Sequence, residues 1–158
     1  MRRGVRIGVD VGRARVGVSR CDRDGLLATP VETIQRASTE PVARLAEIAA
    51  ELEAVEAVVG LPISLSGGDT PSTQDAREMA AMLAATMPVR LVDERLSTVT
   101  ASAGMRASGK STRQQRAAID QAAAVVILQH ALDSERAAGR APGELLSSGE
   151  HAAEREED

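Results

Sequence analysis

The sequence contains no phenylalanine, tyrosine or tryptophan among its 158 residues. Without aromatic rings the protein cannot stack nucleic-acid bases on aromatic platforms, and its core must consist of Val, Ile, Leu, Met and Ala. A single cysteine, Cys21, excludes an internal disulfide. We expect a buried, inert thiol there; a disulfide between two chains is the alternative, because Cys21 lies close to an acidic, polar turn. The sequence leaves open whether the protein is a monomer or a homodimer.

The chain also shows no signal-peptide pattern and no long apolar run. With the lone cysteine, these absences lead us to expect a cytoplasmic protein that does not enter a membrane. The length fits one domain, which is large enough to bury roughly two thirds of the surface of the unfolded chain. We predict a single domain over residues 1–138, followed by an acidic, disordered tail over residues 139–158.

Charge is distributed unevenly along the chain. The tail from Glu150 onward has five acidic residues and one Arg, and so carries the whole formal net charge of −4. Two segments of the body are basic: residues 1–24 hold seven Arg and three Asp, and residues 90–116 hold five Arg and Lys110 against two acids. Basic surfaces attract phosphate-bearing polymers, and we expect the acidic tail to screen the basic surface of this protein.

Hydrophobic periodicity predicts the element order βββαβαβαα. The predicted strands cover residues 5–11, 16–21, 26–34, 57–60 and 89–93. The predicted helices cover residues 41–54, 73–86, 98–107 and 114–138. This order indicates an α/β fold with a five-stranded mixed sheet, in which a three-strand antiparallel meander is joined by two parallel strands and helices pack on both faces.

The first candidate site lies in residues 5–18. Alternating hydrophobic residues deliver Asp10 to the end of a strand and into a tight, arginine-bearing turn. Gly12 and Gly17 flank this turn and allow backbone or a ligand to approach closely. The alternative is that Asp10 only closes an ordinary hairpin, because Asp and Gly are common turn residues.

The second candidate site is the pair Asp93 and Glu94, which follows the last predicted strand. Sheet proteins place ligands at strand ends. Adjacent strand residues point to opposite faces, so we expect one carboxylate to serve the site and the other to be structural. Alternatively, the pair only neutralises Arg95 or caps the helix near Ser97.

The third candidate is Asp120, near the start of an almost wholly apolar stretch of helix. It shares a face with Ala123, Ala124 and Ile127, so it points toward packed structure. An unpaired charge there would be costly, and Asp120 must therefore meet an Arg, a backbone donor or a metal. The small Ala side chains would let this helix approach the sheet closely enough for Asp120 to reach Asp10.

These segments together resemble the YqgF/RuvX family of pre-16S rRNA nucleases, which have a ribonuclease H-like fold and are also called Holliday junction resolvase-like. The resemblance covers about residues 4–133. The family elements D-x-G-x-x-x-x-G, V-x-G-L-P, D-E-R-[LT]-[ST]-T and [IV]-D-x-x-[AS]-A-x-x-I-L match residues 10–17, 58–62, 93–98 and 119–128. The chain departs from the family in the first element, where Arg13 and Ala14 replace a small hydroxyl residue and a basic one.

The resemblance implies an acidic nuclease centre. Asp10, Glu94 and Asp120 would be its catalytic residues and would hold one or two Mg²⁺ or Mn²⁺ ions, with Asp93 as the reserve for Glu94. Hard divalent cations take carboxylate oxygens, and such ions activate water and stabilise a leaving oxygen.

The resemblance also implies a nucleic-acid partner and a set of residues that position its phosphates. These residues are Arg13, Arg15, Arg95, Lys110 and Arg113. The implied reaction is metal-dependent cleavage of structured nucleic acid, namely maturation of the 5′ end of precursor 16S ribosomal RNA. Resolution of a branched DNA, the Holliday junction, is the alternative.

Three other functions have some support in the sequence. Residues 104–111 match the phosphate-loop pattern G-x-x-x-x-G-K-[ST], but that loop needs a strand before its first glycine, and we predict a helix over residues 98–107. The turn after Asp10 resembles that of actin-like sugar kinases, which need two such domains. A non-catalytic nucleic-acid-binding module would use the carboxylates only to dock its ligand.

Overall fold

The computed structural model describes residues 2–63, 66–94 and 113–146, with the backbone alone for residues 113–116. The described part contains six strands: β1 Arg6–Val11, β2 Arg15–Cys21, β3 Ala28–Gln35, β4 Glu56–Leu61, β5 Val89–Asp93 and β6 Glu144–Leu146. It also contains three helices: α1 Pro41–Glu51, α2 Pro71–Leu83 and α3 Arg113–Ala138.

The strands form one mixed sheet in the order β3-β2-β1-β4-β5-β6. The first three strands are an antiparallel meander, and β4 and β5 run parallel to β1. The prediction of five strands missed β6, which pairs antiparallel with β5 at the edge of the sheet. This strand lies in the segment predicted as tail, and its three residues are too few to show a strand period in the sequence.

Helices cover both faces of the sheet, as predicted. On one face, Ile7 and Val9 of β1 pack in a cluster with residues of α1 and α2, among them Leu45 and Leu83. On the other face, Val58 of β4 packs with residues of α3. Because strand residues alternate between faces, the even-numbered residues of β1, which include Asp10, face α3.

The helix ends differ from the predicted ends for identifiable local reasons. Helix α2 begins at Pro71, two residues early, because the Thr70 hydroxyl accepts a hydrogen bond from the Thr73 backbone and the Thr73 hydroxyl accepts one from the Thr70 backbone. Helix α1 ends at Glu51, after which Glu53 takes a positive φ of 53°. The predicted helix over residues 98–107 and the phosphate-loop pattern over residues 104–111 lie outside the described residues.

Helix α3 approaches the sheet closely over three glycines. A Cβ atom at Gly17 would collide with the main-chain carbonyl of Asp120, and one at Gly8 would meet the carbonyl of Ala124. A Cβ at Gly60 would collide with the side chain of Glu94. These glycines leave a surface on which the helix can lie against the strands.

A network of largely buried charged side chains joins the C-terminal half of α3 to the end of the sheet at which β1 and β4 begin. Glu135 accepts hydrogen bonds from Arg2 at 2.6 Å and from Arg6 at 3.4 Å. Glu56 binds Arg2 at 3.1 Å and Arg90 at 3.0 Å. Arg6, Glu56 and Glu135 are each less than 5% exposed. These pairs span up to 133 residues of sequence, and no local pattern indicates them.

Cys21 is a free, buried thiol, as expected. Its sulfur accepts a hydrogen bond from the backbone N–H of Arg6 at 3.2 Å. At 1% exposure it is not accessible to a second chain, so the alternative of an interchain disulfide is wrong for this fold. In the described residues no helix is both long enough and apolar enough to span a bilayer.

Candidate functional site

Three carboxylates meet on the α3 face of the sheet. Asp10 lies near the end of β1, Glu94 follows β5, and Asp120 lies in the first half of α3. Since β1 and β5 both run parallel to β4, which lies between them, their carboxyl ends are at the same edge of the sheet. The edge formed by these strand ends is the usual position of a ligand site in such sheets.

The Asp10 carboxyl has a strongly altered acidity. Burial is the largest cause, and together with the nearby negative charge of Asp120 it raises the pKa of Asp10 to about 6. A hydrogen bond with the Glu94 carboxyl acts in the opposite direction and lowers this pKa. Asp10 is thus within interaction distance of both Asp120 and Glu94.

Of the adjacent residues Asp93 and Glu94, Glu94 is the one that lies beside Asp10. The Glu94 residue is 5% exposed, and its side chain lies over Gly60 beside Ile127. Asp93 is the last residue of β5 and is exposed. Because Gly60 has no side chain, the Glu94 carboxyl can occupy that position.

Asp120 forms an ion pair with an arginine of β2. Arg15 Nε donates to Asp120 Oδ2 at 2.6 Å, so the Arg partner considered for Asp120 is present. Among residues 2–63, 66–94 and 113–146, no three Asp, Glu, His or Cys side chains are grouped in a way that could hold a metal ion. The carboxylates are therefore neighbours, but they do not form a ready coordination shell.

The structure describes only some of the predicted phosphate-binding residues, and these differ in exposure and in contacts. Arg13 is exposed in the turn between β1 and β2, directly beyond Asp10. Arg15 is engaged with Asp120. Arg113 is the first residue of α3, and only its backbone is described. Arg95 and Lys110 lie outside the described residues.

The sequence analysis missed the side chains that hold the turn after Asp10. Arg36 Nη1 donates to the Gly12 carbonyl at 2.8 Å, and both terminal nitrogens of Arg36 bind the Asp75 carboxylate at 2.7 and 3.1 Å. Asp75 is in the first half of α2. Arg36 and Asp75 are 39 residues apart, and neither belongs to a recognisable motif.

The same helix also holds the loop that follows β4. The hydroxyl of Thr73, a fully buried residue, donates to the Pro62 carbonyl at 2.5 Å. Both loops that border the three carboxylates are therefore anchored on α2. The signal for this anchor is the Thr-Pro-Ser-Thr sequence at residues 70–73, which is typical of a helix start.

The fold is similar to that of RuvC from Thermus thermophilus. RuvC in complex with a Holliday junction substrate matches with a TM-score of 0.55 and 16% sequence identity, over 89% of this chain and 99% of that chain. A second RuvC structure matches with a TM-score of 0.50 and 18% identity, over the same shares. The predicted ribonuclease H-like fold is confirmed.

The family follows from the sequence comparisons. The model of the RuvX family, described as Holliday junction resolvase, matches residues 4–134. A protein of Clavibacter michiganensis subsp. michiganensis is 55% identical over 92% of this chain and 93% of its own length. One of Streptomyces coelicolor is 57% identical over 91% and 89%. Both carry the name "Putative pre-16S rRNA nuclease".

The chain therefore belongs to the RuvX (YqgF) family. Its class is that of a hydrolytic nuclease, as the sequence predicted. Nucleic acid is accordingly the partner class of the site.

Proposed function

We propose that this protein is a divalent-metal-dependent nuclease that acts in the cytoplasm on the 5′ end of precursor 16S ribosomal RNA. The observation that carries the proposal is the meeting of Asp10, Glu94 and Asp120 at the strand ends beneath α3. The substrate is taken from the names of the relatives, which are more than half identical to this chain over most of its length.

The donor chemistry of the site fits a hard divalent cation. Asp10, Glu94 and Asp120 offer carboxylate oxygens, the ligands that Mg²⁺ and Mn²⁺ prefer. Asp10, whose pKa is raised to about 6, must be ionised to act as a ligand. When bound, such an ion would activate water and stabilise the leaving 3′ oxygen.

The arginines near the site would position the substrate. Arg13 projects from the turn beyond Asp10, where a phosphate next to the scissile bond could reach it. We assign the same role to Arg15, Arg95, Lys110 and Arg113. Contacts to phosphates carry no sequence information. Since the chain has no aromatic side chain for base stacking, selectivity must come from the shape of the substrate and from 2′-hydroxyl contacts.

Cleavage assays with matched variants test the proposal. A precursor 16S rRNA 5′ end and a four-way DNA junction are incubated with the wild-type protein, Asp10→Asn and Asp133→Asn, with Mg²⁺, with Mn²⁺ or with EDTA. Asp133 is an exposed residue of α3 and so is a matched control on the helix that carries Asp120. We expect wild type and Asp133→Asn to cut the RNA only with metal, and Asp10→Asn to retain less than about a hundredth of that rate.

Each other outcome is informative. Preferential cutting of the junction would support the resolvase reaction, which the description of the matched family model favours. Binding of both substrates without metal-dependent cutting would support a non-catalytic module. Equal cutting by all three proteins would indicate a contaminating nuclease. Protein concentration must be determined by amino-acid analysis, because the chain has no Trp or Tyr to absorb in the near ultraviolet.

A further inference from the structure

We propose that Arg15 is an exchangeable counter-ion: it holds the Asp120 carboxylate when no divalent cation is bound, and it contacts a substrate phosphate when a cation takes that carboxylate. The proposal rests on the proposed function, because it requires Asp120 to be a metal ligand and nucleic acid to be the substrate.

The hydrogen bond between Arg15 and Asp120 is short, but it uses only one nitrogen of the guanidinium. Nε donates to Oδ2 at 2.6 Å, and in the described part of the chain Nη1 and Nη2 make no hydrogen bond. Arg36, by comparison, binds Asp75 through both terminal nitrogens and also binds a backbone carbonyl. A single bond is more easily exchanged than a bidentate pair, and it leaves the donors of Nη1 and Nη2 for another anion.

Exposure also separates this ion pair from the buried pair of Arg6 and Glu135. The side chains of Arg15 and Asp120 are 26% and 16% exposed, so a cation and a phosphate can reach them from solvent. The side chains of Arg6 and Glu135 in the buried network are 1% and 5% exposed. The pair at the site is therefore accessible for exchange, whereas the pair at the other end of the sheet is enclosed.

The position of Arg15 explains why the carboxylates are neighbours without forming a ready metal site. Asp120 lies close enough to Asp10 to act on its acidity, and the Arg15 guanidinium neutralises Asp120 in this acidic cluster. A guanidinium and a divalent cation on the same carboxylate compete for it. Removal of the guanidinium should therefore tighten metal binding, and metal binding should free Arg15 for phosphate, so that metal and nucleic acid each increase the affinity for the other.

Manganese binding without nucleic acid tests the exchange. The signal of free aqueous Mn²⁺ in electron paramagnetic resonance is measured during titration of wild type, Arg15→Gln and Arg13→Gln. Arg13 is an exposed arginine two residues away and controls for the general loss of positive charge. We expect Arg15→Gln to bind Mn²⁺ about three- to tenfold more tightly than wild type. Arg13→Gln should change the affinity by less than about twofold.

A second measurement uses the unmodified protein and so does not depend on the folding of a variant. The Nε–H resonance of Arg15 is followed by NMR as Mg²⁺ is added. Because this proton is bonded to Asp120, we expect its signal to shift and to exchange faster with water as the cation binds.

The outcomes separate this proposal from the proposed function. If Mn²⁺ binds all three proteins with the same affinity, or if Arg15→Gln binds it more weakly, the exchange is overturned while the nuclease stands. An Arg15 resonance that does not respond to saturating Mg²⁺ overturns it as well. If none of the proteins binds Mn²⁺, the metal-dependent function fails and the exchange fails with it.

Discussion

At the scale of single residues, the burial of Asp10 has a consequence that can be measured as stability. The pKa of Asp10 rises from an ordinary value of 3.8 to about 6 in the folded protein. The folded state therefore holds the Asp10 proton more tightly than the unfolded state, and the free energy of unfolding falls as the pH rises from about 4 to about 6. Above this range the ionised carboxylate is destabilising.

We therefore predict that Asp10→Asn, which we expect to lose activity, makes the metal-free protein more stable at pH 8. Each unit of pKa shift corresponds to about 1.4 kcal/mol, so the gain in the free energy of unfolding should be about 1–3 kcal/mol. Urea denaturation in EDTA measures it, and the difference from wild type should shrink near pH 4. Asp133→Asn serves as the exposed control and should show no gain. A less stable Asp10→Asn at pH 8 would show that the Asp10 charge stabilises the fold.

At the scale of elements, the fit of α3 against β2 depends on Gly17. A Cβ atom at this position would collide with the main-chain carbonyl of Asp120, which a side-chain rotation cannot move. We predict that Gly17→Ala lowers the free energy of unfolding by about 2–3 kcal/mol and weakens cleavage, because Asp120 is displaced from Asp10. Circular dichroism during urea denaturation and the cleavage assay measure the two effects.

Gly67→Ala is the comparison for this variant. Gly67 has a positive φ of 89°, but no atom lies within 4 Å of the position that an added Cβ would take, so only the backbone preference is disturbed there. Its cost should be about 1 kcal/mol. Equal costs for the two variants would mean that the contact between α3 and β2 yields easily.

The buried charge network connects α3 to the sheet in a different way. Glu135 compensates the charge of Arg6, a residue that is 1% exposed. We predict that Glu135→Ala lowers the free energy of unfolding by about 3–5 kcal/mol, because it leaves a buried charge without its counter-ion. Asp133→Ala, two positions earlier and exposed, should cost less than about 1 kcal/mol in the same denaturation experiment. A small effect of Glu135→Ala would indicate that water compensates Arg6.

The elements and the site differ in how far local sequence could predict them. Period and capping signals predicted the five main strands and three of the helices, because those signals are carried by adjacent residues. The strand-end argument predicted Asp10 and the pair Asp93 and Glu94. It could not choose between the two, because that choice depends on the space over Gly60, which only the assembled sheet creates. The pair of Arg36 and Asp75 joins the end of β3 to α2, 39 residues apart, and leaves no local pattern.

At the scale of the whole molecule, the two ends of the sheet have different electrostatic roles. At one end, the buried carboxylates of Glu56 and Glu135 are compensated by Arg2, Arg6 and Arg90, and this end stabilises the fold. At the other end, Asp10, Glu94 and Asp120 are adjacent and Asp120 is bound by a partly exposed arginine. At this end, burial and the neighbouring charge of Asp120 raise the pKa of Asp10. We therefore expect a divalent cation and a nucleic acid to bind at this end.

The acidic C-terminal segment should weaken the attraction of nucleic acid to this end. The residues from Glu150 onward carry the whole formal charge of −4, so a chain that ends at Leu146 is formally neutral and retains β6. We predict that removing residues 147–158 tightens binding of precursor rRNA by about two- to tenfold at low salt, and that the gain is lost as salt screens the charges. Fluorescence anisotropy across a salt series, in EDTA to prevent cleavage, measures this. A full-length chain with the five acidic residues changed to Gln or Asn should bind as the truncated chain does, because charge and not length is responsible. If this variant binds as wild type does while the truncated chain binds more tightly, the segment obstructs the site sterically and the electrostatic explanation is wrong.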